Sequence, residues 1–535
     1  MGEYEGRLEL TWTNKSKRLL AAEDGSYQWV DPADYRVAEV RLLDDVATVG
    51  EVGANRAADN LLIRGDALNA LRSLARLPEF AAEYLGKVKL AYLDPPFNTQ
   101  QSFLHYDDNL EHSVWLTMMR DRLIQIRELL AAEGSIYVHC DSYEVHYLKV
   151  VLDEVFGREQ FRSEVIWKRT SAHSGAKRFG PVHDTLLFYS KSDQYQWNPL
   201  FQEYGTQYVR GRFARGDDRP WKDADLTGAG VRNGETGQIW RGFDPTAKRR
   251  HWAFPPSVLD QLDNEGRIYW PPKAGGWPRL KQFLDESRGV PMPDVWADLD
   301  PVNSQAKERL GFDTQKPEGL ILRVLAASSD PGDIVLDAFL GSGTTASVAM
   351  KSGRRWVGIE RAGSTVEDIV TPRLSKVVEG TDPGGITETT GWSGGGGFRV
   401  LSVAPSMFEA DDGIVFLSNA MTNGRLAEAT AAQLGFAYEP APPFAGRKGQ
   451  TRLAVIDGVV NADVVRILVS ALPPEERIVI CGTGIDTEAR NVLVNLRSGS
   501  TLRKIPAALL AEYRTGQQLQ LELVEAGDEV RSPDE

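Results

Sequence analysis

Cysteine is almost missing from this 535-residue chain, where only Cys140 and Cys481 occur, far apart. Two such residues build neither a disulfide framework nor a zinc site made of cysteine pairs. His139, Cys140 and His146 lack the H-x-x-x-H spacing of a metal site, so no metal is expected. No run of 18 apolar residues is present, and the opening MGEYEGRLELTWTNKSKRLL is polar and of mixed charge. Neither a membrane span nor a secretory leader is expected, and the default compartment is the cytoplasm. Net positive charge is absent too: 61 Lys+Arg against 75 Asp+Glu leave -14, a balance hostile to phosphate as a whole.

What is present is more specific. Hydrophobic residues at 42%, charged at 25% and aromatic at 9% fit globular domains, and the length allows two or three packed units. Charge is unevenly spread, with 22 Lys+Arg against 16 Asp+Glu between residues 158 and 290. Trp167, Trp197, Trp221, Trp240, Trp252, Trp270 and Trp277 fall in the same stretch. Basic charge interleaved with aromatics suits phosphate neutralisation and base stacking, and equally suits a basic structural insert. Lys168, Arg169, Lys177, Arg178, Lys248, Arg249 and Arg250 are the candidate phosphate contacts.

From Asn60 to Phe156, strand-like NLLIRG, KVKLAYLD and GSIYVHCD alternate with helix-like DALNALRSLARL and VWLTMMRDRLIQIRELLAAE, predicting βαβ units and a parallel sheet. In the longer helix Leu116, Met119, Leu123, Ile126 and Leu130 recur at spacings of three and four, and Gly134 stops it. The texture returns in TQKPEGLILRVLAASS, DIVLDAF, TTASVAMKS and RRWVGIE. The expectation is an α/β domain in two parts, 59–157 and 302–379, interrupted by an insert at 158–301. Residues 1–58 read as an arm, 380–398 as a Gly-rich linker and 399–535 as an accessory α/β domain for packing or a partner.

Two loops carry chemistry. In DIVLDAFLGSGTTASVAMKSGRRWVGIE a strand ends at Asp337, a turn holds Gly341 and Gly343, a helix starts near Thr344 and a second strand ends at Glu360. Glycines there admit a ligand close to the backbone, and the later carboxylate suits ribose hydroxyls. In KVKLAYLDPPFNT a strand feeds Asp94, Pro95, Pro96 and Phe97. The prolines remove two N–H donors, so the loop offers acceptors beside an aromatic face, which suits a planar molecule bearing an NH2 group.

With DPPF first and FLGSGTT second, the chain resembles the β class of S-adenosylmethionine-dependent DNA amino-methyltransferases, and in particular type III restriction-modification Mod subunits. The likeness runs from about Asn60 to Glu360 and includes NLLIRGDAL, WLTMMRDRL, GSIYVHCD, HDTLLFYSKS and TQKP. It implies a Rossmann-like, mostly parallel sheet with circularly permuted motifs and the insert as target-recognition segment. It implies a cofactor loop of Asp337, Phe339, Gly341, Ser342, Gly343 and Thr344, with Glu360 on the ribose and Asp66 near the adenine or methionine end. Thr314, Lys316 and Pro317 match TQKP, where the lysine would meet the methionine carboxylate. Asp94 through Phe97 would be catalytic, Phe188 or Tyr189 would cover the other face of a flipped base, and Asp in first place favours adenine N6 over cytosine N4. Double-stranded DNA, a helicase–nuclease subunit and a second copy are the implied partners. An NAD-dependent oxidoreductase would explain G-x-G-x-x-A but not DPPF, and a binding-only specificity subunit would not need Asp94.

Overall fold

The computed structural model describes residues 10–507 and 509, apart from 22–25, 33, 98–100, 103–106, 109–110, 172–178, 217, 274, 412–413, 420 and 422–423. It divides into two units, residues 1–198 with 294–535, and residues 199–293. The first unit is organised by ten strands: β1 (Leu43–Gly50), β2 (Asn60–Arg64), β3 (Val88–Leu93), β4 (Leu130–Cys140), β5 (Phe161–Lys168), β6 (His183–Ser190), β7 (Val295–Trp296), β8 (Ile334–Asp337), β9 (Arg355–Glu360) and β10 (Gly397–Val403). Their spatial order is β7-β5-β6-β4-β3-β8-β9-β2-β10-β1. The run from β4 to β10 is parallel throughout. Antiparallel pairs join β4 to β6, β6 to β5 and β10 to β1, so the sheet is mixed.

Strands β2, β3 and β8 bury almost every residue, as expected of parallel strands covered on both faces. Their cover includes α1 (Ala67–Arg76), α2 (His112–Leu129), α3 (Val145–Phe156), α4 (Glu318–Ser328) and α5 (Thr344–Lys351). The spacing that predicted α2 is realised at Leu116, Met119, Leu123 and Ile126, all buried, but the helix ends at Leu129: Leu130 opens β4, and Gly134, the expected stop, lies inside that strand. The chain passes from β3 to β4 on one side and from β8 to β9 on the other. A direction change of this kind opens a crevice at the carboxyl ends of β3 and β8.

The expected boundaries need correction. Phe161–Lys168 and His183–Ser190 fall in the expected insert yet hydrogen-bond into the main sheet, so the separate unit begins only at Pro199. The supposed linker ends in β10, and its glycines are hydrogen-bonded: Gly395 N donates to Val378 O and Glu51 N to Gly396 O. Three consecutive positive φ values, at Gly394, Gly395 and Gly396, explain the glycines as a left-handed turn. The supposed arm contributes β1, paired to β10. The C-terminal segment is a five-stranded sheet, β11 (Ala437–Ala441), β12 (Phe444–Lys448), β13 (Thr451–Val460), β14 (Arg477–Ile485) and β15 (Thr501–Lys504), in that order. It lies within the first unit, and the helix that precedes it, Gly424–Leu434, is fastened by Gln433, which exchanges two hydrogen bonds with the Val40 backbone, and by Arg425 on Asp44 of β1 at 3.0 Å twice.

In the 199–293 unit, a three-stranded sheet (Trp221–Asp225, Arg279–Phe283, Ile268–Tyr269) lies with a hairpin and the helix Pro256–Asn264. Its core is Leu226, Trp240, Trp252, Leu259 and Ile268, with Trp277 and Leu280 packed on it. Of the tryptophans that read as base-stacking candidates, Trp240 and Trp252 are therefore core here and Trp277 packs on them, whereas Trp270 is exposed. Among the described residues no helix is long and apolar enough to cross a membrane.

Candidate active site

The crevice is a cavity of about 800 Å³ whose lining includes Asp66, Asp94, Pro96, Thr314, Lys316, Asp337, Phe339, Gly341, Ser342, Thr344 and Glu360. Residues from five distant stretches thus share one cavity because β2, β3, β8 and β9 end side by side and α4 begins beside them. Gly341 and Gly343 have φ of 52° and 82°, a region that penalises any side chain, and α5 starts directly after them. Glu360 closes the turn: Oε2 accepts from Gly341 N at 2.8 Å and Oε1 from Ala362 N at 2.9 Å. Burial pushes the Glu360 carboxyl up, opposed by these amides. Asp337 is more deeply enclosed; Oδ1 accepts from Phe339 N and Oδ2 from Thr345 Oγ1 at 2.6 Å. Burial lifts its pKa to about 7, with Asp94 and Glu360 adding to the rise.

The tetrapeptide Asp94–Phe97 leaves β3 and is held by a residue of the neighbouring helix. Trp115 of α2 donates from Nε1 to the Pro96 carbonyl at 2.7 Å. That carbonyl is thereby used structurally. Asp94 pairs through Oδ2 with Lys316 Nζ at 2.5 Å, while its buried Oδ1 has no hydrogen-bond partner among the described residues. The same ammonium lies 5.0 Å from the centre of the Phe97 ring. Lys316, expected to meet a cofactor carboxylate, here meets that of Asp94. Pro317 caps the start of α4, and Glu318 directly after it is fully buried in a charged cluster: Lys351 Nζ approaches at 2.8 Å and Arg373 Nη2 at 2.9 Å. Arg373 also donates to Ser342 O and Thr344 Oγ1, so the TQKP helix and the glycine turn share one anchor.

Asp66 caps α1 through Leu68 N and takes Arg122 Nη2 on its other oxygen at 2.5 Å. Arg122, Tyr27 and Phe312 line the cavity but escaped the sequence reading. A charged residue inside an apolar helix face was the available sign for Arg122. Tyr27, from the strand Tyr27–Val30, carried no motif, nor did Phe312, which packs beside Gly341.

Other candidates lie elsewhere. Phe188 and Tyr189 are buried strand residues, not walls of this cavity. Phe188 stacks on Tyr137 at 4.3 Å, and the Tyr189 hydroxyl donates to Asp153 at 2.6 Å. Lys168 and Arg169 are exposed, and Arg169 pairs with Asp184 at 3.2 Å. Lys177 and Arg178 fall outside the described residues. In the 199–293 unit Lys248 and Arg249 are exposed, whereas Arg250 bonds Thr227 and Asp225 and serves its hairpin.

A cavity of this size takes a nucleoside-sized ligand. Four carboxylates, Asp66, Asp94, Asp337 and Glu360, face three cations, Lys316, Arg122 and Arg361, across its lining. Together with the unpartnered Asp94 Oδ1, this suits a ligand carrying positive charge and N–H or O–H donors.

Comparison with known proteins converges on this region. The chain is 35% identical over 284 residues to the type II methyltransferase M.EcaI of Enterobacter cloacae, which covers 52% of this chain and 62% of that one. It is 28% identical over 433 residues to the probable type III restriction-modification enzyme HindVI Mod subunit of Haemophilus influenzae, covering 68% and 56%. It is 29% identical over 336 residues to the StyLTI Mod subunit of Salmonella typhimurium, covering 55% and 50%. The matches thus span between half and five eighths of these relatives' length. A family model described as DNA methylase matches residues 88–371, just over half of the chain. That span begins at the strand bearing Asp94 and runs past Glu360, so by sequence as by its two loops this chain belongs to the N6/N4 DNA methylase family.

Proposed function

We propose that this chain transfers a methyl group from S-adenosylmethionine to adenine N6 in double-stranded DNA, as the modification component of a type III-like restriction system. The observation that carries the reading is the meeting of Asp94 and Asp337 in one cavity at the ends of adjacent parallel strands. The cofactor, when bound, supplies the methyl group on a sulfonium leaving group. Glu360, Asp337 and the turn at Gly341 and Gly343 would hold its nucleoside, and the other carboxylates favour its positive charge. An exocyclic amine is a poor nucleophile because its lone pair is drawn into the ring. Asp94 and the Pro95 carbonyl accept its N–H bonds, favour a pyramidal nitrogen and stabilise the charge that grows on it. A base inside a duplex reaches this cavity only by flipping out, with Phe97 to stack on it.

The 199–293 unit takes the role of target reader, working through its exposed cations. The five-stranded C-terminal sheet is assigned to assembly with a second copy or a helicase–nuclease. The test is methylation-aware sequencing of DNA from cells with and without the gene, followed by mass spectrometry of the modified nucleoside. N6-methyladenine at one short sequence supports the reading. N4-methylcytosine would move the activity to the other branch of the family, and no gene-dependent mark would refute it.

A further inference from the structure

One ammonium covers both groups that a target base needs. Lys316 Nζ lies 2.5 Å from Asp94 Oδ2 and 5.0 Å from the centre of the Phe97 ring, although the lysine and the carboxylate are 222 residues apart. The lysine side chain is only 9% exposed and that of Asp94 only 18%, so solvent screens the pair weakly. We propose that Lys316 is a positioning residue that couples the two substrates: it holds the amine-binding site closed until the carboxylate of the bound cofactor draws it away from Asp94. This rests on the methyltransferase reading above.

The argument is one of charge. Methyl transfer requires a cationic sulfonium beside an amine that is itself becoming positive. With Lys316 still on Asp94, a third positive charge would share the carboxylate assigned to that amine, and the electron-rich face of Phe97 would stay occupied. Departure of the lysine frees both at once. A second place for the ammonium lies within the same cavity, whose lining joins Thr314 and Lys316 to Ser342 and Thr344 of the glycine turn. A cofactor carboxylate placed there offers the ammonium an equivalent partner, so exchange leaves no charge buried alone.

Equilibrium binding tests this with S-adenosylhomocysteine, which lacks the sulfonium charge, and a duplex bearing the sequence read by the methylation experiment. In the wild type, saturating S-adenosylhomocysteine should tighten the cognate duplex at least tenfold and leave a duplex without the site unchanged. Lys316→Met should bind the cognate duplex in the absence of S-adenosylhomocysteine nearly as tightly as the wild type does in its presence, while Lys316→Arg keeps the coupling. Asp94→Asn, which removes the competing partner, should bind S-adenosylhomocysteine alone three- to tenfold more tightly. Unchanged coupling in Lys316→Met, or weaker binding in Asp94→Asn, would overturn the exchange and make Lys316 a fixed support of Asp94. Failure of the wild type to bind S-adenosylhomocysteine in calorimetry would instead refute the methyltransferase reading itself.

Discussion

Glu360 accepts a hydrogen bond from the Gly341 amide at 2.8 Å, so the last residue of one parallel strand fastens the turn that follows its neighbour. The carboxylate is thus part of the scaffold of the glycine turn as well as a candidate ligand for ribose. Replacing Glu360 by Ala removes two charge-assisted hydrogen bonds, each worth about 1.5–3 kcal/mol. Cofactor affinity measured by calorimetry should fall by at least about tenfold, and Glu360→Gln, which keeps one acceptor, should fall less. Wild-type affinity in Glu360→Ala would remove the residue from the cofactor site.

Asp94 should matter to chemistry far more than to binding, because its acceptor strengthens as charge develops on the amine. Asp94→Ala should lower single-turnover methyl transfer by about a thousandfold, with cofactor and DNA affinity within about tenfold. Retained activity would exclude it from the reaction.

The buried anchor around Glu318 makes a stability prediction. Lys351 and Arg373 both donate to its carboxylate, and all three side chains are almost wholly enclosed. Truncating one member of such a cluster costs about 3–5 kcal/mol because the remaining charge is stranded. Arg373→Ala should therefore lower the unfolding midpoint in urea markedly, and should also loosen cofactor binding, since Arg373 supports Ser342 and Thr344.

Asp337 has an ordinary value of 3.8 and a folded value of about 7, so the folded chain binds a proton there that the unfolded chain has lost. Its contribution to stability is complete below about pH 4 and declines as pH rises to 7. Entry of a cation into the cavity favours the ionised form. Affinity for S-adenosylmethionine should rise between pH 5.5 and about 7 and then level off, more steeply than that for S-adenosylhomocysteine. Asp337→Asn should flatten the difference; parallel profiles for the two ligands in the wild type would contradict it.

Exposed and structural cations of the 199–293 unit should separate on mutation. Lys248→Ala and Arg249→Ala should each weaken DNA binding across sequences and reduce the salt slope by about one. Arg250→Ala, which loses its bonds to Thr227 and Asp225, should act by destabilising the hairpin, seen as earlier thermal unfolding.

Much of the architecture is written locally. Spacings of three and four specify α2, apolar runs specify β3 and β8, and Gly341 and Gly343 mark a turn that only such residues enter without strain. Where local pattern and partner disagree, the reading failed. Phe161–Lys168 and His183–Ser190 carry polar and basic residues like the following insert, yet backbone pairing to β4 and to each other binds them to the sheet. Glycines after Glu379 look like a hinge, and become a tight turn once β10 pairs with β1 and β2.

The sequence by itself determined which chemical groups the protein has and the order in which it presents them: a carboxylate with stiff acceptor carbonyls first, a glycine turn with a later acid second. Short-range pattern suffices for this because turns, strand ends and helix starts depend on neighbours a few residues away. Tertiary structure alone decided who meets whom. The pairing of Lys316 with Asp94, of Arg122 with Asp66 and of Arg373 with the glycine turn joins residues dozens to hundreds of positions apart. Such contacts follow from the order of strands in the sheet, and the energy of a buried charge depends on the partner that the fold brings to it.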